Sequence, residues 1–177
     1  MDNINQRIEN YKLLNKQKEK ILKTACLIKK ALINNNKIFF CGNGGSAADS
    51  NHFAAEFVVK FNKKRKPYCA VSLCANNSII SAISNDYSYN EVFSRQIEAL
   101  ADKNDVLVAL TTSGKSENVL RAVKKAQEMG LKTIFLTGNN RIDIESFIQI
   151  NAPSASTAQI QEMHVSIIHI ILELLEL

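Results

Sequence analysis

The stretch Asp105-Val106-Leu107-Val108-Ala109-Leu110 constrains the fold of this chain more than any other. A strand with one face in water alternates apolar and polar residues. An unbroken apolar run is what a strand buried on both faces requires. Lys37-Ile38-Phe39-Phe40-Cys41, Cys69-Ala70-Val71-Ser72-Leu73, Lys132-Thr133-Ile134-Phe135-Leu136-Thr137 and Phe147-Ile148-Gln149-Ile150 repeat the pattern in shorter or more mixed form. Between and after them lie segments that read as helices: 46–61, 77–84, 90–100, 117–129 and 157–175. Gly130 ends the fourth of these. This alternation predicts an α/β fold, a doubly wound five-stranded parallel sheet flanked by helices, with right-handed crossovers. Ligands in such sheets bind beyond the carboxyl ends of the strands.

Ahead of the first strand, residues 2 to about 35 carry apolar positions at helical spacing: Ile4, Ile8, Tyr11 and Leu14, then Ile21, Leu22, Ala25, Ile28 and Leu32. Asp2 caps this long N-terminal helix and Asn34-Asn35-Asn36 closes it. It is long for a globular helix and is expected to bend or break. The arm, residues 1–36, has too little of its own chain to cover it, so packing in an oligomer is predicted. At 177 residues the whole chain, 1–177, fits a single domain.

Composition narrows the function classes. No apolar run reaches the ~18 residues of a membrane helix, and Met1-Asp2-Asn3-Ile4-Asn5 lacks the order of a signal peptide. Cys26, Cys41, Cys69 and Cys74 form no Cys-x-x-Cys pair and read as small buried hydrophobes in a reducing cytoplasm. The net charge is +5, with basic residues gathered in Lys16–Lys30 and Lys60–Lys66. The first group reads as a solvated helix face. The second has neither interleaved aromatics nor a nucleic-acid motif and reads as a basic loop. No nucleic acid and no membrane are therefore expected as partners.

Two turns and two helices carry the chemistry. Thr111-Thr112-Ser113-Gly114-Lys115-Ser116 follows the third strand and opens a helix, where free N–H groups and the helix dipole bind anions. Its four hydroxyls can wrap a phosphate, although Ser and Thr are also common at any helix start. The P-loop pattern is absent. Gly42-Asn43-Gly44-Gly45-Ser46 follows the first strand and leaves room for a ligand against the main chain. Ala47 stands where a dinucleotide fingerprint has its third glycine.

The chain's three histidines are His52, His164 and His169. His52 and Glu56 are four apart, on one helix face. Gln161 and His169 are eight apart on the closing helix, about 80° round an ideal helix. Where the two helices meet at the sheet edge, His52, Glu56, Gln161 and His169 can converge. Such a set can hold zinc, can serve as a metal-free acid–base pair, or can be packed core residues.

Taken in order, Cys41-Gly42-Asn43-Gly44-Gly45-Ser46, His52-Phe53-Ala54-Ala55-Glu56, Ser84-Asn85-Asp86, Phe93-Ser94-Arg95, Thr112-Ser113-Gly114-Lys115-Ser116 and Ile160-Gln161-Glu162-Met163-His164 with His169 resemble the sugar isomerase (SIS) domain, and within it the phosphoheptose isomerase family. The resemblance spans nearly the whole chain. It implies the SIS fold and the isomerisation of sedoheptulose 7-phosphate to D-glycero-D-manno-heptose 7-phosphate, which begins bacterial heptose biosynthesis for lipopolysaccharide, capsule and related glycans. It implies a cytoplasmic homotetramer with one zinc per subunit.

By the same resemblance, Glu56 and His169 are the catalytic residues, and His52, Glu56, Gln161 and His169 the zinc ligands. Asn43, Gly44, Gly45, Glu56, Asn85, Asp86, Thr111, Thr112, Ser113, Ser116 and Gln161 would contact the sugar phosphate. Two positions depart from the family pattern. Gln159 stands where arginine is usual, and Lys115 where a small polar residue, often asparagine, is common. Two alternatives stand beside this reading. One is an SIS isomerase for another sugar phosphate. The other is a non-catalytic SIS adaptor similar to the replication-initiator-associating protein, which lacks the glutamate and histidine this chain keeps at 56 and 169.

Overall fold

The computed structural model describes residues 2–139, 142, 144 and 146–177. Five strands form one parallel sheet: β1 (Ile38–Cys41), β2 (Ala70–Ser72), β3 (Val106–Thr111), β4 (Lys132–Thr137) and β5 (Ile148–Asn151), in the order β2-β1-β3-β4-β5. The helices are α1 (Asp2–Leu14), α2 (Lys18–Ile33), α3 (Gly45–Val58), α4 (Asn77–Asp86), α5 (Ser94–Leu100), α6 (Glu117–Glu128) and α7 (Thr157–Leu175). The order reverses at β1 and β3, the central pair, aligned from Ile38 beside Val106 to Cys41 beside Ala109. That switch point is where a ligand crevice opens in an open α/β sheet.

Successive residues of a strand point to opposite faces, and two cores result. Ile38, Phe40, Val106, Val108 and Leu110 meet Ile28 of α2, Phe53 and Phe57 of α3, and Met163 and Ile167 of α7. Phe39, Cys41, Leu107 and Ala109 meet Ile97 of α5 and Val119, Ala122 and Val123 of α6. Both faces of β3 are therefore dry, as its unbroken apolar run demands.

The N-terminal arm is two helices. A tight turn at Asn15–Gln17 separates α1 from α2, so the expected bend is present. Leu14, Ile21, Ala25 and Ile28 are buried, while Ile4, Ile8 and Tyr11 stay exposed. The turn lays α1 along α7. Arg7 donates from Nε and Nη2 to the Glu162 carboxylate at 2.8 and 2.9 Å, and Tyr11 shares a 2.7 Å hydrogen bond with Ser166.

Three local expectations are corrected. The third helix stops at Val58 rather than continuing to 61, and the 90–100 segment splits into a short turn, Tyr89–Glu91, and α5. The Ser88 hydroxyl accepts from Asn90 N and starts that turn. Cys41 and Cys74 are buried, but Cys26 is exposed on the outward face of α2 and Cys69 is exposed just ahead of the edge strand β2. The Lys16–Lys30 lysines are exposed, as expected. Among the described residues, no helix is long and apolar enough to cross a membrane.

Candidate active site

The Gly-rich turn leaves the carboxyl end of β1 and starts α3 at Gly45. Gly44 adopts φ +56°, a conformation that favours glycine. Gly45 is required for a different reason. A Cβ there would overlap the side-chain amide of Gln161, which α7 presses against the turn. Asn43 exchanges two amide hydrogen bonds with buried Asn118 on α6, at 2.8 and 2.9 Å, and its Oδ1 also accepts from the Tyr89 hydroxyl at 2.9 Å. Asn43 is thus held in one orientation before any ligand arrives.

The second turn leaves β3. Its hydroxyls organise the backbone: Gly114 N donates to Thr111 Oγ1 at 3.2 Å, Lys115 N to Ser113 Oγ at 3.1 Å, and Thr111 and Ser116 share a 3.1 Å hydrogen bond. Gly114 sits at φ +70°. Gly138 N, beyond β4, ties down the Thr112 carbonyl at 3.2 Å. The result is a preformed, uncharged hydroxyl cradle at a helix start, chemically suited to an anion. The Asn43–Asn118 pair joins it to the Gly-rich turn.

The third component is built by α3 and α7 running side by side. Gln161 meets Gly45, and His169 meets His52, so contacts advance in step along both helices. His52 Nε2 lies 3.4 Å from Glu56 Oε1. The His52 and His169 rings are 5.2 Å apart and nearly perpendicular. Phe61 backs His169 from the other side at 5.1 Å. Burial lowers the His169 pKa, His52 lowers it further, and Glu56 and Glu173 oppose the shift. The ring is therefore neutral near pH 7, with one nitrogen to donate and one to accept. Its Nε2 is buried and has no partner within the protein.

Not every candidate joins this cluster. Gln161 lies at the Gly-rich turn, roughly 12 Å along the helix axis from His169 at 1.5 Å per residue. Asn85 donates to Asp86 at 2.8 Å, and both are exposed at the end of α4. The link from that segment to the Gly-rich turn is Tyr89. Among the described residues, no three His, Cys, Asp or Glu side chains stand as a metal-holding group. The donor chemistry still fits zinc: the His52 imidazole and the Glu56 carboxylate lie beside His169, whose buried Nε2 is orphaned, and the Gln161 amide lies nearer the start of α7.

His164 belongs elsewhere. Its Nε2–H donates to the Thr137 carbonyl at 3.2 Å, and burial pushes its pKa down to about 4. It docks α7 on the sheet. Gln159 accepts from Asn10 at 2.7 Å and from Ser154 at 2.8 Å. An amide therefore fills the place of the usual arginine, and it satisfies Asn10, which is buried in the arm.

Residue-by-residue reasoning missed Asn118, Tyr89, Phe61 and Asp49. Asp49, one turn before His52, has a buried, unpartnered Oδ2, and burial raises its pKa. Its i, i+3 spacing to His52 was the available signal.

A parallel sheet with a hydroxyl cradle and a histidine–carboxylate cluster at its switch point defines a phosphosugar-binding α/β protein, and the SIS-domain family matches residues 1–138. Phosphoheptose isomerase from Helicobacter pylori (strain P12) is 44% identical over 167 residues, covering 93% of this chain and 87% of that protein. Phosphoheptose isomerase from Aquifex aeolicus (strain VF5) is 43% identical over 160 residues, covering 89% and 84%. The solved phosphoheptose isomerase of Neisseria gonorrhoeae superposes with a TM-score of 0.91 at 37% identity, over 99% of this chain and 95% of that one. The chain belongs to the SIS-domain family and, within it, to the phosphoheptose isomerases.

Proposed function

We propose that this chain isomerises sedoheptulose 7-phosphate to D-glycero-D-manno-heptose 7-phosphate in the cytoplasm, at the start of bacterial heptose biosynthesis. The observation that carries the reading is the approach of His169 on α7 to the His52–Glu56 pair on α3, beside a hydroxyl cradle of the right chemistry for the distal phosphate. A non-catalytic adaptor needs neither the pair nor its convergence.

Thr111, Thr112, Ser113 and Ser116 hold the phosphate, and Asn43, Gly44, Gly45 and Gln161 receive the sugar chain leading to the reacting end. Asn85 and Asp86 complete the hydroxyl contacts from α4. Glu56 takes the proton from C1 of the ketose while His169 gives one to the C2 oxygen, forming the enediol. His169 then accepts the proton of the C1 oxygen, and Glu56 returns its proton to C2. Every proton removed is returned, so the step is a net isomerisation. Positioned acid–base groups of this kind contribute about 10²–10⁴-fold each. Fixing the phosphate end converts binding energy into alignment of C1 and C2 with Glu56.

His52, Glu56 and His169 would hold one zinc per subunit, and Gln161 would complete the set by turning its amide from Gly45 toward them. Bound there, the metal supplies Lewis-acid polarisation of the carbonyl and enediolate oxygens. Zinc titration of chelator-stripped protein, followed calorimetrically, should give one site per chain that His52→Ala abolishes. The exposed row Ile4, Ile8 and Tyr11 on α1, with Leu22 on α2, supports assembly into a homotetramer, checked by light scattering.

The deciding experiment is an assay of purified, zinc-supplied protein against sedoheptulose 7-phosphate and a panel of other ketose phosphates. Aldose heptose 7-phosphate is the expected product. Turnover of a different ketose alone would reassign the substrate, and no turnover of any would favour the adaptor.

A further inference from the structure

The basic segment 60–68 crosses from the end of α3 to β2 and is fastened at both ends. Its amino-terminal part is held by one carboxylate. Phe61, Asn62 and Lys63 each donate a backbone N–H to Glu176, just beyond α7, at 3.2, 2.9 and 3.0 Å. The Glu176 side chain is only 3% exposed. Burial pushes its pKa up, but the three N–H groups and Arg65 outweigh this, so the net shift is downward and the carboxylate stays charged.

Arg65 fastens the other side. Its Nη1 and Nη2 donate to the carbonyls of Phe57 and Glu56, at 2.9 and 2.8 Å. These belong to the last turn of α3, whose carbonyls have no partner within the helix. The guanidinium also lies 4.0 Å over the Tyr68 ring and within 3.4 Å of Glu176 Oε1. One buried cation therefore touches the backbone of Glu56, the segment's far end and the carboxylate at the end of α7. Between these anchors, Phe61 presents its ring to His169 at 5.1 Å.

We propose that residues 60–68 form a strap, locked by Arg65 and Glu176, which sets the separation of Glu56 and His169, with Phe61 as the wedge against the imidazole. Phe61, Arg65 and Glu176 are positioning residues that touch no substrate. The proposal rests on the isomerase reading, since it assigns a purpose to the spacing of that reading's proton-transfer pair. Its mechanism is ordinary: proton transfer is steep in distance, and a displacement near 1 Å can cost about 10²-fold in rate. The phosphate cradle follows β3, whereas the strap runs from α3 to β2.

The test uses the full-length, zinc-supplied protein. Arg65→Ala and Phe61→Leu should lower kcat by about 10- to 100-fold, the cost of a sub-ångström to 1 Å misplacement, with KM nearly unchanged. Methylguanidinium should partly restore turnover to Arg65→Ala. Glu176→Gln keeps the shape and one acceptor oxygen, and should fall between wild type and Glu176→Ala. Lys64→Ala, exposed on the same segment, should leave turnover unchanged. Because the chain has three histidines, imidazole NMR spectra read the site without turnover. Strap variants should shift the His169 signals and spare those of His164.

Unmoved His169 signals, with wild-type kcat in folded Arg65→Ala and Phe61→Leu, would overturn the strap. So would a loss of activity that only follows the folded fraction and is not rescued by methylguanidinium. Wild-type protein that turns over no ketose phosphate would count against the isomerase reading instead, and the histidine spectra would still decide the strap.

Discussion

The two halves of the site are held by opposite means. The hydroxyl cradle at 111–116 is shaped mainly by its own atoms, through hydrogen bonds spanning two to five residues, with one outside tie from Gly138 N to the Thr112 carbonyl. The Glu56–His52–His169 cluster joins positions more than a hundred residues apart, through the packing of α3 against α7. A locally closed turn is rigid before ligand binds and can be perturbed without reaching the proton-transfer groups. A cluster built from two helices depends on everything that sets their separation. Substitutions in the cradle should therefore act mainly on KM, and those in the cluster mainly on kcat.

The largest expected effect tests the cluster. Glu56→Gln and His169→Gln should each reduce kcat by about 10²–10⁴-fold with KM little changed, measured by steady-state kinetics on sedoheptulose 7-phosphate. Near-normal turnover in both would dissolve the distinction between the two halves. Next comes the cradle. Ser116→Ala removes one hydroxyl from a charged ligand, a loss of about 1.5–3 kcal/mol. That corresponds to a KM increase of about 10- to 100-fold at nearly constant kcat. A fall in kcat as large as the rise in KM would show that the cradle steers the reacting end as strongly as the cluster does.

The third effect tests whether α7 is the weaker support. His164 docks it on the sheet as a neutral ring, with a folded-state pKa of about 4 against about 6.5 unfolded. The unfolded chain binds the proton first, so stability is complete above pH 6.5 and declines as pH falls toward 4. Between pH 7.5 and pH 5 the loss should be about 2 kcal/mol by linkage, read from urea midpoints. His164→Gln should flatten that decline. An unchanged slope in the variant would remove His164 as the acid-sensitive anchor.

Much of this was legible in the residues. The unbroken apolar run at 106–110 implies a strand dry on both faces, and β3 is one. The cradle was legible because a turn after a strand, four hydroxyls and a glycine are all local. The limits of α3 were not, because it ends where Arg65, seven residues further on, takes up its last carbonyls. Asn118 carried no warning either. Alone it is an ordinary residue in the first turn of a helix, and only the crossing of two loops makes it the partner of Asn43.

The chain's own order of residues determined the strand–helix alternation, the anion-binding turn and the shared helix faces of His52 with Glu56, since each depends on bonds or periodicities within a few residues. Tertiary structure alone decided that His169 meets His52, that Gln161 occupies the space of a missing Cβ at Gly45, and that a basic loop is tied down by Glu176. Those contacts depend on how helices pack across a sheet, where a shift of one helix by a single turn, about 5.4 Å, would leave every local pattern intact and the site unmade.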